Sequence, residues 1–404
     1  MSTVVGNDII VNEPNRWRLE TTGHAGWTRT ARPGAPNKYF IVSADCHANE
    51  PGNLWAERID RKYRDRLPRV VTDDKGVQWR VSEGHRPDRL RLSTLEGEDD
   101  ARQKAGADPR ERLRDQHRDG IDAEVVFPNK GLSMWATPDA AFALAQCQVW
   151  NDWAWEVFGP YVERMSPAAA LATADLEGSI AEVKRVAAMG FRVLTLPCKP
   201  VWGAHDVEHP NYNLPVFDPL WAVIQDADLA VTFHVSAGRD PRASRGNGGA
   251  VINYVSHSLS PTIEPVANLC ASGVLERFPR LRFATIEAGI GWIPWLLTAM
   301  DEAYLKHHFW VRPKLPKLPS EYFRQHGLAS FQEDPAGLEL AERWNLTDNL
   351  MWANDYPHHE GTWPHSAQAI ERTMGHLSEP ARAKILGLNA ARFFGFRVPS
   401  GYTA

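Results

Sequence analysis

The sequence predicts an α/β fold, a closed (β/α)8 barrel, from three observations. Eight short apolar runs recur along the 404 residues, and segments with helical spacing lie between most of them. The runs are apolar on both faces, which is typical of parallel strands covered by helices. Acidic and imidazole side chains stand at the ends of several runs, where a barrel carries its catalytic groups. An open doubly wound sheet is the alternative, but no G-x-G-x-x-G motif follows the first strand.

The N-terminal third adds two segments to the barrel pattern. Residues 1–37 are rich in Gly, Asn, Thr, Arg and Pro without periodicity, and they predict an N-terminal arm that contacts a neighbouring subunit in a homodimer or larger homo-oligomer. The barrel is expected over 38–398, with its first strand at 39–44. The strongly charged stretch 53–115 predicts an insertion that contains a hairpin around 73–76. Such a long excursion is either functional or interfacial, or it is a solvated surface segment, and the sequence leaves both open.

The rest of the chain alternates between strand and helix patterns. Seven further strands are predicted at 121–127, 168–172, 191–196, 229–233, 281–286, 328–331 and 350–353. The clearest helices between them are predicted at 138–161, 180–189, 218–226, 261–277 and 293–306. Gly190 stands where a left-handed residue would end the second of these helices. Eight strands in this alternation favour closure into one barrel.

Composition excludes several classes of function. Hydrophobic residues make up 43% of the chain, which is enough for a sizeable core, and the formal net charge of −5 offers no basic surface for nucleic acid. No apolar run reaches the roughly 18 residues that a membrane-spanning helix needs. The four cysteines are scattered without a C-x-x-C pair, which is typical of a reduced, cytoplasmic protein. The expected partner is therefore a small molecule rather than nucleic acid or a membrane.

Four side chains at strand ends predict a metal site. Asp45 and His47 close the first strand two residues apart and therefore point to the same side. His234 follows the fifth strand and Asp355 the eighth. Two imidazoles and two carboxylates with one open position suit a catalytic metal, which lowers the pKa of its water. Each residue alone has an ordinary explanation: a chance D-x-H, a buried core histidine, or an aspartate that caps a turn.

Other polar residues near the strand ends are candidates for proton transfer. Glu287 follows the sixth strand and is a candidate base, substrate anchor or additional ligand, although it could also pair with an arginine. Asp355 could take a proton as well as bind the metal. His257 follows the fifth strand as a candidate acid or substrate contact, and a surface role is the alternative. His358, just beyond Asp355, is expected to support that ligand.

Four segments in order resemble a known family. They are SADCH at 43–47, FHVSAG at 233–238, IEAGIGWIP at 286–294 and WANDYPH at 352–358. Together they resemble the amidohydrolase-2 family of the amidohydrolase superfamily, the branch that includes aminocarboxymuconate semialdehyde decarboxylase, over about residues 39–395. The resemblance implies a distorted (β/α)8 TIM barrel that holds one divalent metal. The ligands that it implies are Asp45, His47, His234 and Asp355.

Two departures from the family pattern affect the expected chemistry. The first ligand pair is D-x-H rather than the commoner H-x-H, so zinc is expected while manganese and iron stay open. Glu287 stands where the decarboxylases of the family carry a catalytic histidine. The expected function is a metal-dependent hydrolase that attacks a small carboxylated or aromatic substrate with a metal-activated water. The alternatives are a non-oxidative decarboxylase of an aromatic or unsaturated carboxylic acid and a barrel that binds without catalysis.

Overall fold

A computed structural model describes residues 2–5, 9–12, 39–85, 87–90, 97–201, 210–237, 244, 246–400 and 402. Near the N-terminus, strand β1 (Ser2–Val5) pairs antiparallel with β2 (Ile9–Asn12). The remainder of the arm predicted over 1–37 lies outside the described residues. The arm, its subunit contact and the boundary of the barrel stay predictions.

The first barrel strand is longer than its apolar run. Strand β3 spans Val42–Ala48, where the sequence predicted 39–44, so Asp45 and His47 lie within the strand rather than after it. The strand continues because its backbone pairs with the second barrel strand as far as Ala48, and the register of this pairing shifts between Ser43 and Cys46. All seven residues of β3 are buried. The two polar side chains are therefore held on a rigid, fully enclosed segment.

The insertion combines the predicted hairpin with helices. Strands β4 (Arg69–Thr72) and β5 (Gln78–Val81) form the antiparallel hairpin, and the short β6 (Asp88–Arg89) pairs with β5. The helices of this region are α1 (Leu54–Arg58), α2 (Gly97–Ala105) and α3 (Pro109–Asp119). Helices α2 and α3 were not predicted, because both consist mostly of charged residues and show little apolar periodicity.

The predicted eight-stranded parallel sheet is confirmed. The remaining strands are β7 (Ala123–Pro128), β8 (Met165–Ala170), β9 (Val193–Leu196), β10 (Ala230–His234), β11 (Phe283–Ile286), β12 (Gly327–Phe331) and β13 (Leu350–Trp352). Each strand pairs in parallel with its neighbour in the order β3-β7-β8-β9-β10-β11-β12-β13. Every residue of these strands is buried, which explains why the runs are apolar on both faces.

Helices follow the strands and cover the sheet. They are α4 (Ala140–Phe158), α5 (Leu176–Met189), α6 (Asp218–Asp226), α7 (Gly249–Tyr254), α8 (Ser260–Ala271), α9 (Val274–Arg277), α10 (Ile293–Lys306), α11 (Pro319–His326), α12 (Pro335–Ala341), α13 (Ser366–Met374), α14 (Glu379–Ala383) and α15 (Asn389–Phe394). Gly190 ends α5 with φ 110°, as predicted. The single helix expected at 261–277 is two helices, since Gly273 adopts φ 80° between them. Across the described part of the chain, no helix is both long and apolar enough to cross a bilayer.

The barrel closes at a seam between its first and last strands. Strands β3 and β13 do not form a continuous ladder. Instead, the amide of Asp355 donates to the carbonyl of Asp45 at 3.1 Å, and the amide of His47 donates to the carbonyl of Tyr356 at 2.6 Å. The segments that carry the predicted ligands therefore join the two edges of the barrel.

Candidate metal centre

The structure brings the predicted ligands together in two groups that share His47. Ligand atoms of one group lie within 4.8 Å of one another: Asp45, His47, His234 and Glu287. A second group meets the same limit and shares His47: His47, Asp355 and His358. The four side chains that the sequence nominated as ligands are fully buried, whereas the side chain of Glu287 is 14% exposed. Glu287 is therefore the acid that faces outward from the cluster.

Both predicted imidazole ligands present Nε2 to the cluster. Nδ1 of His47 lies 2.9 Å from the carbonyl oxygen of Pro128, and Nδ1 of His234 lies 2.7 Å from that of Val235. A carbonyl oxygen can only accept, so each Nδ1 carries a proton, and Nε2 is the ring nitrogen that faces the carboxylates and could bind a cation. A backbone carbonyl that fixes the tautomer in this way is the usual support of a metal-binding histidine.

The carboxylates point at the same space. Oδ1 of Asp45 lies 3.1 Å from Nε2 of His234 and 3.4 Å from Nε2 of His47, and Oδ1 of Asp355 lies 3.5 Å from Nε2 of His47. Within the described part of the chain, no hydrogen bond reaches Oδ2 of Asp45, Nε2 of His47 or Oδ1 of Asp355, although all three atoms are buried. Buried polar atoms without partners are costly, and a divalent cation would satisfy all of them at once. The donor set fits a metal.

Electrostatics supports the same conclusion. Burial and the charge of Asp45 raise the pKa of Asp355 well above its usual range, while burial and the charge of Asp355 do the same for Glu287. Burial, together with the neighbouring His358, lowers the pKa of His47 to about 4, which keeps that imidazole neutral. Three acids crowded into one buried site repel each other, and a dication would offset that repulsion.

The backbone at the barrel mouth adopts a conformation that is rare outside glycine. Ser236, Glu287 and Asp355 have φ values of 70°, 61° and 54°. Each follows a barrel strand that ends within three residues of it. Such left-handed conformations cost about 1–3 kcal/mol each and tend to concentrate at functional sites. The strain turns the side chains of the two acids at the point where their strands end.

Helix α3 of the insertion supports the cluster from behind. Arg112, Asp115 and Asp119 share one helical face at i, i+3 and i+7. Arg112 donates to the carbonyl of His47 at 2.6 Å. Asp115 accepts from the hydroxyl of Tyr356 at 2.7 Å, and Asp119 accepts from the amide group of Asn354 at 3.1 Å. The end of the insertion is therefore part of the site and not a solvated surface.

Some candidate residues lie outside the ligand cluster. His257 belongs to neither ligand group, and its Nδ1 lies 3.1 Å from the side-chain oxygen of Asn253, so its catalytic role stays a prediction. His358, in contrast, belongs to the second ligand group: its ring stacks on His47 with centroids 4.2 Å apart, and its Nδ1 lies 2.9 Å from Oδ1 of Asp355. Cys46, between the first two ligands, turns away and lies 3.2 Å from the hydroxyl of Ser43.

A cavity of about 190 Å3 lies between the insertion and the loop after β10. Ser236, two residues beyond His234, lines one side of it. The opposite sides come from the insertion, the loop after β7 and helix α4. Three basic side chains and one acid are among its lining residues: Arg66, Arg80, His85 and Glu83. The insertion therefore forms much of the lining of this cavity, whose nearest approach to a predicted ligand along the described chain is Ser236.

Comparison with protein families agrees with this geometry. The family model Amidohydro_2, described as amidohydrolase, matches residues 44–396. The chain belongs to this family. The matched range includes all four predicted ligands. A comparison with curated proteins found no match.

Solved structures share the fold of this amidohydrolase. Amidohydrolase map2389c from Mycobacterium avium subsp. paratuberculosis K-10 aligns with a TM-score of 0.72 at 20% identity, over 89% of this chain and 99% of that chain. 5-Carboxyvanillate decarboxylase LigW from Sphingomonas paucimobilis aligns with a TM-score of 0.61 at 21% identity, over 88% and 99%. Dihydroxybenzoic acid decarboxylase from Polaromonas sp. JS666, solved with bound manganese and 2-nitroresorcinol, aligns with a TM-score of 0.59 at 17% identity, over 88% and 97%. At these identities the likeness establishes the distorted barrel.

Proposed function

We propose that this amidohydrolase is a metal-dependent hydrolase of a small anionic, aromatic substrate. The proposal depends on a difference in burial among the three acids of the site. Asp45 and Asp355 are fully buried with oxygens that lack hydrogen-bond partners among the described residues, whereas Glu287 is partly exposed beside them. Two acids are thus available as ligands, and a third is free to exchange a proton with a bound substrate.

The proposed chemistry needs a Lewis acid and a base. A divalent cation held by Asp45, His47, His234 and Asp355 supplies the Lewis acidity that polarises a substrate oxygen and activates water. Glu287 accepts a proton from the attacking water at a carboxylate oxygen and returns it to the leaving group as the acyl bond breaks. Its Oε2 lies 3.8 Å from Nδ1 of His234, so the base sits at the edge of the cluster.

The cavity lined by the insertion supports the choice of substrate class. Arg66, Arg80 and His85 line it against a single acid, Glu83, which favours a negatively charged guest. Trp135 and Phe142 are also in the lining and offer flat apolar surface for a ring. Arg66 is already bound to Glu83 and Asp139, so Arg80 is the more available cation.

Decarboxylation is the second candidate, and fold similarity favours it. The structures aligned above include decarboxylases of aromatic acids, one of them with manganese. In that reaction Glu287 would be a proton donor to the ring carbon from which carbon dioxide leaves. Zinc is the metal that we expect, with manganese as the alternative that this similarity favours.

The test compares two panels of substrates on protein reconstituted with zinc or manganese. Esters, amides and lactones of carboxylated aromatics report hydrolysis through acid release, and hydroxybenzoic acids report decarboxylation through carbon dioxide. Glu287→Gln is expected to lower kcat by about 10²–10⁴-fold while metal content stays at one equivalent per chain. Glu302→Gln, a change at an exposed acid of α10, is the matched control.

Each outcome has a consequence for the proposal. Carbon dioxide release without hydrolysis moves the assignment to the decarboxylase. Loss of metal from Glu287→Gln makes Glu287 a ligand and removes its role as base. A wild-type protein that holds no divalent metal after reconstitution contradicts both reactions and leaves the non-catalytic binding barrel.

A further inference from the structure

Three residues at the end of strand β12 make four hydrogen bonds toward the metal centre without supplying a ligand. Ser330, Gln332 and Asp334 follow one another at intervals of two along the strand and the loop after it. None of them belongs to either ligand group. Each one nevertheless contacts a segment that carries an acid of the site. This strand end had no assigned role in the sequence, because its polar residues do not resemble a ligand motif.

Gln332 contacts one of the ligands directly. Its Nε2 donates to Oδ2 of Asp355 at 2.7 Å. A carboxylate oxygen can only accept from an amide, so the amide nitrogen must face Asp355. Oδ1 of the same carboxylate faces Nε2 of His47 at 3.5 Å and Nδ1 of His358 at 2.9 Å. The contact therefore fixes which oxygen of the carboxylate faces Gln332 and which faces the two histidines.

The hydrogen bond from Gln332 restricts rotation of the Asp355 carboxylate. Asp355 has φ 54°, so its backbone is not in the conformation that a non-glycine residue prefers. A carboxylate on a strained backbone can rotate about its side-chain torsions unless a neighbour holds it. Gln332 is half-buried and lies on the adjacent strand edge, so it supplies a fixed donor from a rigid element.

The same strand end holds the neighbouring acid by its backbone. The hydroxyl of Ser330 accepts from the amide of Glu287 at 3.0 Å. Oδ2 of Asp334 accepts from the amides of Ile290 and Gly291, each at 2.7 Å. Glu287 has φ 61°, so it too needs support from outside its own strand. Both acids that follow barrel strands with positive φ are thus held from β12.

We propose that Gln332 is a positioning residue that directs Oδ1 of Asp355 at the metal. Its carboxamide occupies Oδ2, so Asp355 binds through one oxygen and the cluster keeps an open side for substrate. The inference rests on the metal site of the proposed function, but it concerns affinity for the metal and not turnover. Loss of a hydrogen-bond partner behind a ligand typically weakens metal affinity by about 10–100-fold.

The test measures Mn²⁺ binding to the full-length apo protein, with free Mn²⁺ followed by electron paramagnetic resonance. Gln332→Met keeps the length of the side chain without the donor, and Gln332→Ala removes both. Each is expected to bind Mn²⁺ about 10–100-fold more weakly than wild type, with the melting temperature of the apo protein unchanged. Gln325→Met, a change at an exposed glutamine of α11, is the control and is expected to bind as wild type.

The outcomes separate this inference from the metal site itself. Asp45→Ala is expected to abolish tight binding, and an Asp45→Ala variant that binds as wild type contradicts the ligand set. If Asp45→Ala fails to bind and both Gln332 variants bind within twofold of wild type, the ligand set stands and Gln332 does not position Asp355. A lower apo melting temperature with unchanged Mn²⁺ affinity assigns Gln332 to packing and likewise overturns the proposal.

Discussion

Removing the guanidinium of Arg112 tests how the insertion supports the site. Arg112 is fully buried, and its Nε lies 2.6 Å from Oε1 of Glu124, whose side chain is 2% exposed. Its Nη1 also donates to the carbonyls of His47 and Gly106 at 2.6 and 2.7 Å. The guanidinium carbon lies 4.8 Å from the ring centre of Tyr356. One side chain therefore links the insertion, the first barrel strand and the loop after the last.

Arg112→Met leaves Glu124 buried without its cation. Breaking a buried pair by removing one partner costs about 3–5 kcal/mol. A chain of 404 residues has an unfolding entropy of about 0.85 kcal/mol/K near its melting temperature, at about 2.1 cal/mol/K per residue. The expected fall in melting temperature is therefore about 4–6 °C. Differential scanning calorimetry of the apo protein at pH 7 measures it.

Two further variants make the result interpretable. Arg112→Met with Glu124→Gln removes the unpaired charge and is expected to melt above the single variant. Arg110→Met, at an exposed arginine of the same helix that pairs with Asp108, is expected to change the melting temperature by about 1 °C or less. A single Arg112→Met variant that melts within 1 °C of wild type, or a double variant that melts lower still, refutes the reasoning.

Three other predictions concern stability. Chelation of the metal is expected to lower the melting temperature by about 3 °C, because a ligand at 100 times its Kd stabilises the protein by about 2.7 kcal/mol. Calorimetry with and without EDTA measures this shift, and superimposable scans contradict the prediction. Gly387→Ala places a methyl group against the carbonyl oxygen of Phe40 and is expected to destabilise the protein by about 1–3 kcal/mol in urea unfolding. Gly52→Ala, with open space around it, is the neutral control. Equal unfolding midpoints for the two variants would show that the contact at Gly387 is not tight. Tyr356→Phe removes a 2.7 Å hydrogen bond to Asp115 and is expected to lower the free energy of unfolding by about 1.5–3 kcal/mol. The control Tyr254→Phe, at an exposed tyrosine, is expected to lower it by less than about 0.5 kcal/mol. Equal losses of stability for the two variants would argue against the hydrogen bond of Tyr356.

Much of the barrel was predictable from local pattern. A strand that is buried on both faces is mostly apolar, so the eight runs identify the eight strands without knowledge of their neighbours. The candidate ligands could be picked out of the sequence for a related reason: Asp45, His47, His234 and Asp355. A polar ligand at the end of an apolar run interrupts the local hydrophobic pattern and is visible in the sequence alone.

Helices α2 and α3 of the insertion could not be predicted by the same reasoning. Helix α3 is mostly charged, and its buried residues are Arg112, Gln116 and Asp119, all of them polar. A polar face that is buried against other polar groups has the same composition as a solvated one. Only the packing of that face against the ends of β3 and β13 distinguishes the two.

The sequence by itself determined the alternation of strands and helices, and it nominated acid and imidazole side chains that the structure brings together. Only the tertiary structure decided that Gln332 faces Asp355, that Arg112 binds behind His47, and that His257 lies outside the cluster. The physical reason is the range of the interactions. Burial and strand alternation act on neighbouring residues and leave a periodic record, whereas a hydrogen bond between distant segments depends on where the whole barrel brings two side chains together.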